Sequence, residues 1–147
     1  MIKSDMDFDT NNLSFSKKVI KPWGEETIYT PKESAYTFKQ IKINNGCRLS
    51  LQSHTDKSET FILISGKAEL IIGLDINDLK TINLNIGQNY NIPVGAIHRL
   101  VGIKDAIILE ASTPEIGTTI RYQDDYHRSN ETEEIRNQEN RGWSTNK

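Results

Sequence analysis

The sequence predicts an all-β domain, and three observations carry that prediction. Between Ile20 and Tyr126, short runs rich in Ile, Leu, Thr, Tyr and Phe alternate with clusters of Gly, Pro, Asn and Asp. No segment in that stretch sustains an apolar period near 3.6. A length of 147 residues supplies one hydrophobic core and not two. Many short strands at regular spacing suit a sandwich or a closed barrel.

The elements follow in order. Residues 1–17 are rich in Asp, Asn and Ser and predict a loose N-terminal arm. Strands are expected at Glu26–Thr30, Tyr36–Ile43, Leu49–His54, Glu59–Ser65, Ala68–Ile72, Thr81–Leu84, Tyr90–Ile92, His98–Gly102, Ala106–Ser112 and Thr118–Tyr122, giving a domain over 18–128. Glu59–Ser65 is apolar on both faces past its start and is expected to be buried on both sides. The tail 129–147 is polar apart from Ile135 and Trp143 and is expected to stay off the core, with a short helix at most over Glu131–Asn137. Core packing is the expected fate of most of Trp23, Tyr29, Tyr36, Phe38 and Phe61.

Composition removes several function classes. A formal net charge of −2 and a pI near 5.9 offer no global basic field for nucleic acid or a membrane surface. No apolar run approaches a bilayer span, and the N-terminus lacks the apolar centre of a signal peptide. With Cys47 as its one cysteine, the chain forms no internal disulfide. A cytoplasmic protein is expected.

Chemistry concentrates in the run GCRLSLQSHTDKSETFILISG, Gly46 to Gly66. Alternate residues of a strand share a face, so Arg48, Ser50, Gln52 and His54 lie opposite Leu49 and Leu51. Glu59 opens the next strand, where burying a carboxylate is costly unless it meets a cation. A further ligand is expected from GQNYNIPVGAIH, where Pro93 and Gly95 make a turn and His98 opens a strand. Arg99, next to His98, should point the other way.

These two stretches resemble the paired motifs of the cupin superfamily. The first has Gly46, five residues, Gln52, one residue, His54, four residues, Glu59, six residues and Gly66; the second has Gly87, five residues, Pro93, one residue, Gly95, two residues and His98. The resemblance implies a double-stranded β-helix, the jelly-roll barrel, with one metal inside. Gln52, His54, Glu59 and His98 would be its ligands, with Gln52 standing where histidine is common. Zinc leads as the divalent ion, with manganese, iron, cobalt or nickel as alternatives. The competing reading of His54 and His98 is a pair of satisfied core histidines. Cupins often pair through open strand edges, so a homodimer is expected.

A narrower resemblance lies in KPWGEETIY, RLSLQSH, IPVGAIHRL, ILEAS and IRYQDDYHR, which follow the order of the C-terminal isomerase domain of type II mannose-6-phosphate isomerases. It implies a metal-dependent aldose–ketose isomerase acting on a sugar or sugar phosphate, with the cupin half standing alone. Charge stabilisation by the ion and a positioned base would carry that chemistry. Lys57 or a metal-bound water is the candidate base, with Glu59 spent on the metal. Arg121 and Arg128 lead as phosphate ligands, ahead of Lys21 and Arg48, because a guanidinium matches phosphate in two-point contacts. Lys21 and Lys57 replace arginines of the family pattern, Gly117–Thr119 replace its acidic residues, and His127 replaces a glycine. These changes favour an alternative, a non-catalytic carbohydrate- or nucleotide-sugar-binding cupin of polysaccharide synthesis. An Fe(II) dioxygenase ranks last.

Overall fold

The computed structural model describes residues 9–144; residues 1–8 of the expected N-terminal arm lie outside them. Nine antiparallel strands form one sheet that curls on itself, so that strands remote in sequence meet across a common hollow. In order they are β1 (Lys17–Lys21), β2 (Gly24–Ile28), β3 (Thr37–Ile43), β4 (Leu51–His54), β5 (Glu59–Gly73), β6 (Lys80–Asn83), β7 (Asn89–Ile92), β8 (Ile97–Ser112) and β9 (Thr119–Gln123). One path runs β1-β2-β3-β8-β4-β9, and β5 pairs with β6, β7 and β8.

The longest strands are the corners of the fold. β5 and β8 were each expected as two runs, yet each continues without a break and serves both halves of the barrel. Their ladder slips between Leu63 and Ala68, where bulges let β5 turn from one half to the other. Gly66 sits in this bend at φ 79°, and a Cβ there would lie 2.2 Å from the carbonyl oxygen of Asp105. Only glycine fits that approach.

Alternation supplies the core. In β3, Lys39, Ile41 and Ile43 point inward. With Trp23, Phe61, Leu63, Leu70, Leu100 and Ile108, the two isoleucines form the packed interior. Tyr29 and Tyr36 stay largely exposed. Two expectations are corrected. β5 is not buried on both faces, because Ile64 is 42% exposed. β1 escaped notice because only Val19 and Ile20 of its five residues are apolar; pairing with β2, in place of composition, makes it a strand.

The tail also departs from expectation. Glu131 exchanges two backbone hydrogen bonds of 2.9 Å with Thr119, so the chain past β9 returns to the barrel. Helix α1 (Glu133–Arg136) follows, with the Thr132 side chain accepting from the Ile135 amide. It joins a layer of charges, not the apolar core, which is why hydropathy gave no sign of it. Among the described residues, no helix is long and apolar enough to cross a membrane.

Candidate metal centre

β4, β5 and β8 bring three side chains to one point. His54 ends β4, Glu59 begins β5 after the turn 55–58, and His98 lies near the start of β8. Glu59 Oε1 lies 2.6 Å from His98 Nε2 and 3.3 Å from His54 Nε2, and all three residues are buried. One ligand atom from each falls within 4.8 Å of the others, which makes the trio a possible metal-binding triad.

The proton inventory sharpens this. His98 Nδ1 is 2.9 Å from the carbonyl oxygen of Ala96, which can only accept, so the ring hydrogen sits on Nδ1. In the neutral ring Nε2 then presents a lone pair to the Glu59 carboxylate. Burial lowers the pKa of His54 and favours its neutral form. Burial opposes charge on Glu59 as well, but the Lys57 ammonium outweighs it and its pKa lies well below the usual range. His54 Nε2, His98 Nε2 and Glu59 Oε1 are buried without a hydrogen-bond partner, while Glu59 Oε2 faces the Lys57 ammonium at 3.1 Å. Lone pairs packed together in this way repel unless a cation lies between them, and the two-nitrogen, one-carboxylate set suits a divalent ion. The competing reading, satisfied core histidines, does not fit these orphaned atoms.

Gln52 pairs with His98 across the β4–β8 ladder and lines the same hollow. Its side-chain oxygen accepts a 2.7 Å hydrogen bond from Ser50.

The structure sorts the remaining sequence candidates. Lys21 and Arg121 face the hollow. Arg128 reaches its rim, but its guanidinium binds Asp124 at two points, 2.9 and 3.0 Å. Arg48 is corrected outright: its fork holds Asp125 at 2.8 Å on the outside, because the chain has not yet entered β4 at that residue. Arg99 points away from the ligands as expected, binding the carbonyls of Leu49 and Gln123.

Lys57 is buried beside the triad, 3.1 Å from Glu59 Oε2 and 3.6 Å from Glu110 Oε2. Burial opposes its charge, but the Glu110 and Glu59 carboxylates outweigh that and raise its pKa. It is an ammonium that donates, and the role of base is corrected accordingly.

Sequence reasoning missed a buried charged layer continuous with this centre. Lys39 Nζ lies 2.9 Å from Glu115, 3.4 Å from Glu26 and 3.5 Å from Glu110. Burial pushes the Glu110 carboxyl up to about 8 against the pull of Lys39 and Lys57. From the tail, Arg141 reaches Glu115 at 2.6 Å and Arg136 reaches Glu131 at 3.1 Å. A signal did exist for two of these: Lys39 is in phase with Ile41 and Ile43, and Glu110 with Ala106 and Ile108. Glu115 comes from an irregular segment, and Arg136 and Arg141 from helical turns too short to show a period.

A jelly-roll barrel with His, Glu and His turned into its hollow is the cupin arrangement. Solved structures agree on the fold. Capsular polysaccharide assembling protein CapF from Staphylococcus aureus matches with a TM-score of 0.56 at 16% identity, over 80% of this chain and 34% of that one. Lactobacillus farciminis oxalate decarboxylase matches at 0.62 and 23%, over 78% and 35%.

The family model described as mannose-6-phosphate isomerase C-terminal matches residues 8–131, and the chain belongs to that family. Among curated relatives, xanthan biosynthesis protein XanB of Xanthomonas campestris pv. campestris is 33% identical over 61% of this chain and 18% of its own length. Alginate biosynthesis protein AlgA of Pseudomonas aeruginosa is 34% identical over 56% and 16%. A mannose-1-phosphate guanylyltransferase of Sinorhizobium fredii is 34% identical over 72% and 19%. The chain thus spans under a fifth of the length of these relatives.

Proposed function

We propose that this protein is a metal-dependent isomerase of a phosphorylated aldose, with mannose 6-phosphate the first substrate to test. The observation that carries the reading is the convergence of buried, undonated His54, Glu59 and His98 atoms beside a wall of cations. The triad would hold the ion with Gln52 as a further oxygen ligand, and zinc is the leading candidate. When bound, a divalent ion would stabilise the negative charge that develops on a sugar oxygen as a carbon-bound proton leaves.

The chain's own residues supply the rest. Lys21 and Arg121 hold the phosphate end. Lys57 keeps Glu59 oriented toward the imidazoles. Glu110, next to Lys57 and lining the hollow, is the carboxyl placed to hold and return a proton. Elemental analysis of the purified protein, followed by assay of hexose and pentose phosphates with the metal found, tests the reading. The expected result is near-stoichiometric metal and aldose–ketose turnover lost with chelator; metal without turnover of any sugar phosphate rejects it.

One observation favours a second reading, a ligand-binding cupin of polysaccharide synthesis. The free volume of the hollow is about 50 Å³, room for a few waters and too little for a sugar phosphate. Relatives named for xanthan and alginate biosynthesis support that setting. Thermal stabilisation by a sugar phosphate or nucleotide sugar without product would distinguish it. A cytoplasmic homodimer completes the proposal, with β6 as one of the strands paired on a single side among the described residues; light scattering giving a monomer would remove the dimer.

A further inference from the structure

We propose that Glu131–Trp143 is a charge-latched strap over the hollow, and that the Glu131 carboxylate occupies, on Lys21 and Arg121, the place of a ligand's phosphate until the strap lifts. The inference rests on the phosphorylated-ligand reading above and adds how such a ligand gains entry.

The first support is the setting of Glu131. Its Oε2 lies 3.9 Å from Lys21 Nζ and 3.7 Å from Arg121 Nη2, and its Oε1 lies 3.1 Å from Arg136 Nε and 3.4 Å from Arg141 Nη1. Glu115 shares Arg136 and Arg141 with it, which leaves Lys21 and Arg121 ion-paired to the Glu131 carboxylate. A phosphate monoester brings more charge and a third acceptor oxygen to the same cations.

The second support is space. About 50 Å³ beside the triad compares with roughly 300–1,000 Å³ for small-molecule sites. A sugar phosphate therefore enters only if part of the wall leaves. The barrel strands are tied by continuous ladders and cannot leave locally; the tail is tied by a single bridge, Glu131 to Thr119, and by side-chain contacts beyond it.

How the tail is tied is the third support. No residue of α1 is buried. A cavity of about 420 Å³ adjoins it, with Glu133, Arg136, Asn137 and Arg141 on the wall. Asn140 and Arg141 adopt left-handed backbone, φ 46° and 53°, at a cost of roughly 1–2 kcal/mol each. They hold it through polar contacts: Asn140 Oδ1 accepts from the Ile20 amide at 2.9 Å, and Arg141 pairs with Glu115 and Glu131. Apart from Trp143, whose ring meets Tyr126 edge-on at 6.1 Å, the strap is fastened by polar contacts, and such a segment belongs to the low-stability end of a fold.

Lifting does not strand charge. Arg136 and Arg141 travel with Glu131, and Glu115 keeps its 2.9 Å pair with Lys39. What lifting uncovers is Lys21 and Arg121. Both arginines of the strap lie past Glu131, the last residue that the family model matches.

Amide hydrogen exchange on the full chain tests the proposal, with inorganic phosphate and mannose 6-phosphate as probes and sodium chloride at matched ionic strength as control. Both phosphates should speed exchange over residues 131–143 severalfold while β4 and β8 stay protected, and chloride should not. Unchanged or slower exchange across the strap with either phosphate present overturns the proposal, whether through failure to bind or through clamping. Glu131→Gln removes the resident anion and should tighten inorganic phosphate by about tenfold, the size of one charge-assisted contact. Unaltered affinity in a folded variant overturns it too; if the variant does not fold, exchange in the natural chain decides. Turnover measured in parallel separates the two claims. Turnover over an unmoving strap defeats the strap alone, and strap opening without turnover defeats the isomerase alone.

Discussion

His98 illustrates how one side chain is committed by its neighbours. The Ala96 carbonyl fixes the hydrogen on Nδ1, which turns the Nε2 lone pair onto a buried carboxylate. His98→Ala should lower metal affinity by more than about 100-fold, since even a partner one shell removed from a metal costs 10–100-fold; metal content after dialysis against a weak chelator measures it. Glu110 calls for a different experiment. Glu110→Gln keeps shape and hydrogen-bonding capacity while removing the transferable proton. Metal content should hold while kcat falls by roughly 10²–10⁴, the usual weight of acid–base catalysis. Loss of metal in that variant would instead make Glu110 a structural support of Glu59. At this scale the sequence marked the residues of the candidate metal triad and hid the charged layer, because motif spacing is local whereas ion-pair partners meet only across loops.

β5 and β8 show what a strand must do to serve both halves of a barrel. Both bend where their ladder slips, and Gly66 is the residue that lets the backbones come so close. Gly66→Ala should destabilise the protein by more than about 2 kcal/mol, combining the left-handed penalty with overlap against Asp105. Gly46 is its control, also at positive φ but with nothing within 4 Å of an added Cβ. Gly46→Ala should cost only the backbone penalty of roughly 1–2 kcal/mol. Urea midpoints of the two variants give the comparison; equal losses would mean that the close approach does not matter. His127, where the family pattern has glycine, sits at φ 56°. Its backbone takes a shape that glycine would adopt freely and that costs a residue with a side chain.

The whole molecule buries an unusual load of charge, and its stability should follow pH accordingly. Burial opposes ionisation of Glu26, but Lys39 and then Lys21 outweigh it and bring its pKa to about 2. Glu115 and Glu131 are lowered as well, the first mainly by Lys39 and Arg141, the second by Arg141 and Lys21, each against burial. A carboxyl whose folded pKa lies below its unfolded one adds stability that is present above about pH 4.5 and lost as the pH falls further. Glu26 alone accounts for a loss on the order of 3 kcal/mol between pH 4.5 and 2. Melting temperature should therefore drop steeply below pH 4.5, and Glu26→Gln should make that limb shallower. An unchanged acid limb in the variant would show that these carboxylates titrate alike in the folded and unfolded chain.

The sequence by itself determined the barrel and the identity of His54, Glu59 and His98, because strand alternation and ligand spacing are local properties of the chain. Only the tertiary structure decided where the polar tail lies, that Arg48 faces outward, and that Lys21 and Arg121 already hold a carboxylate. Those outcomes depend on charges brought together from distant segments, and electrostatic pairing across space leaves no period in a sequence.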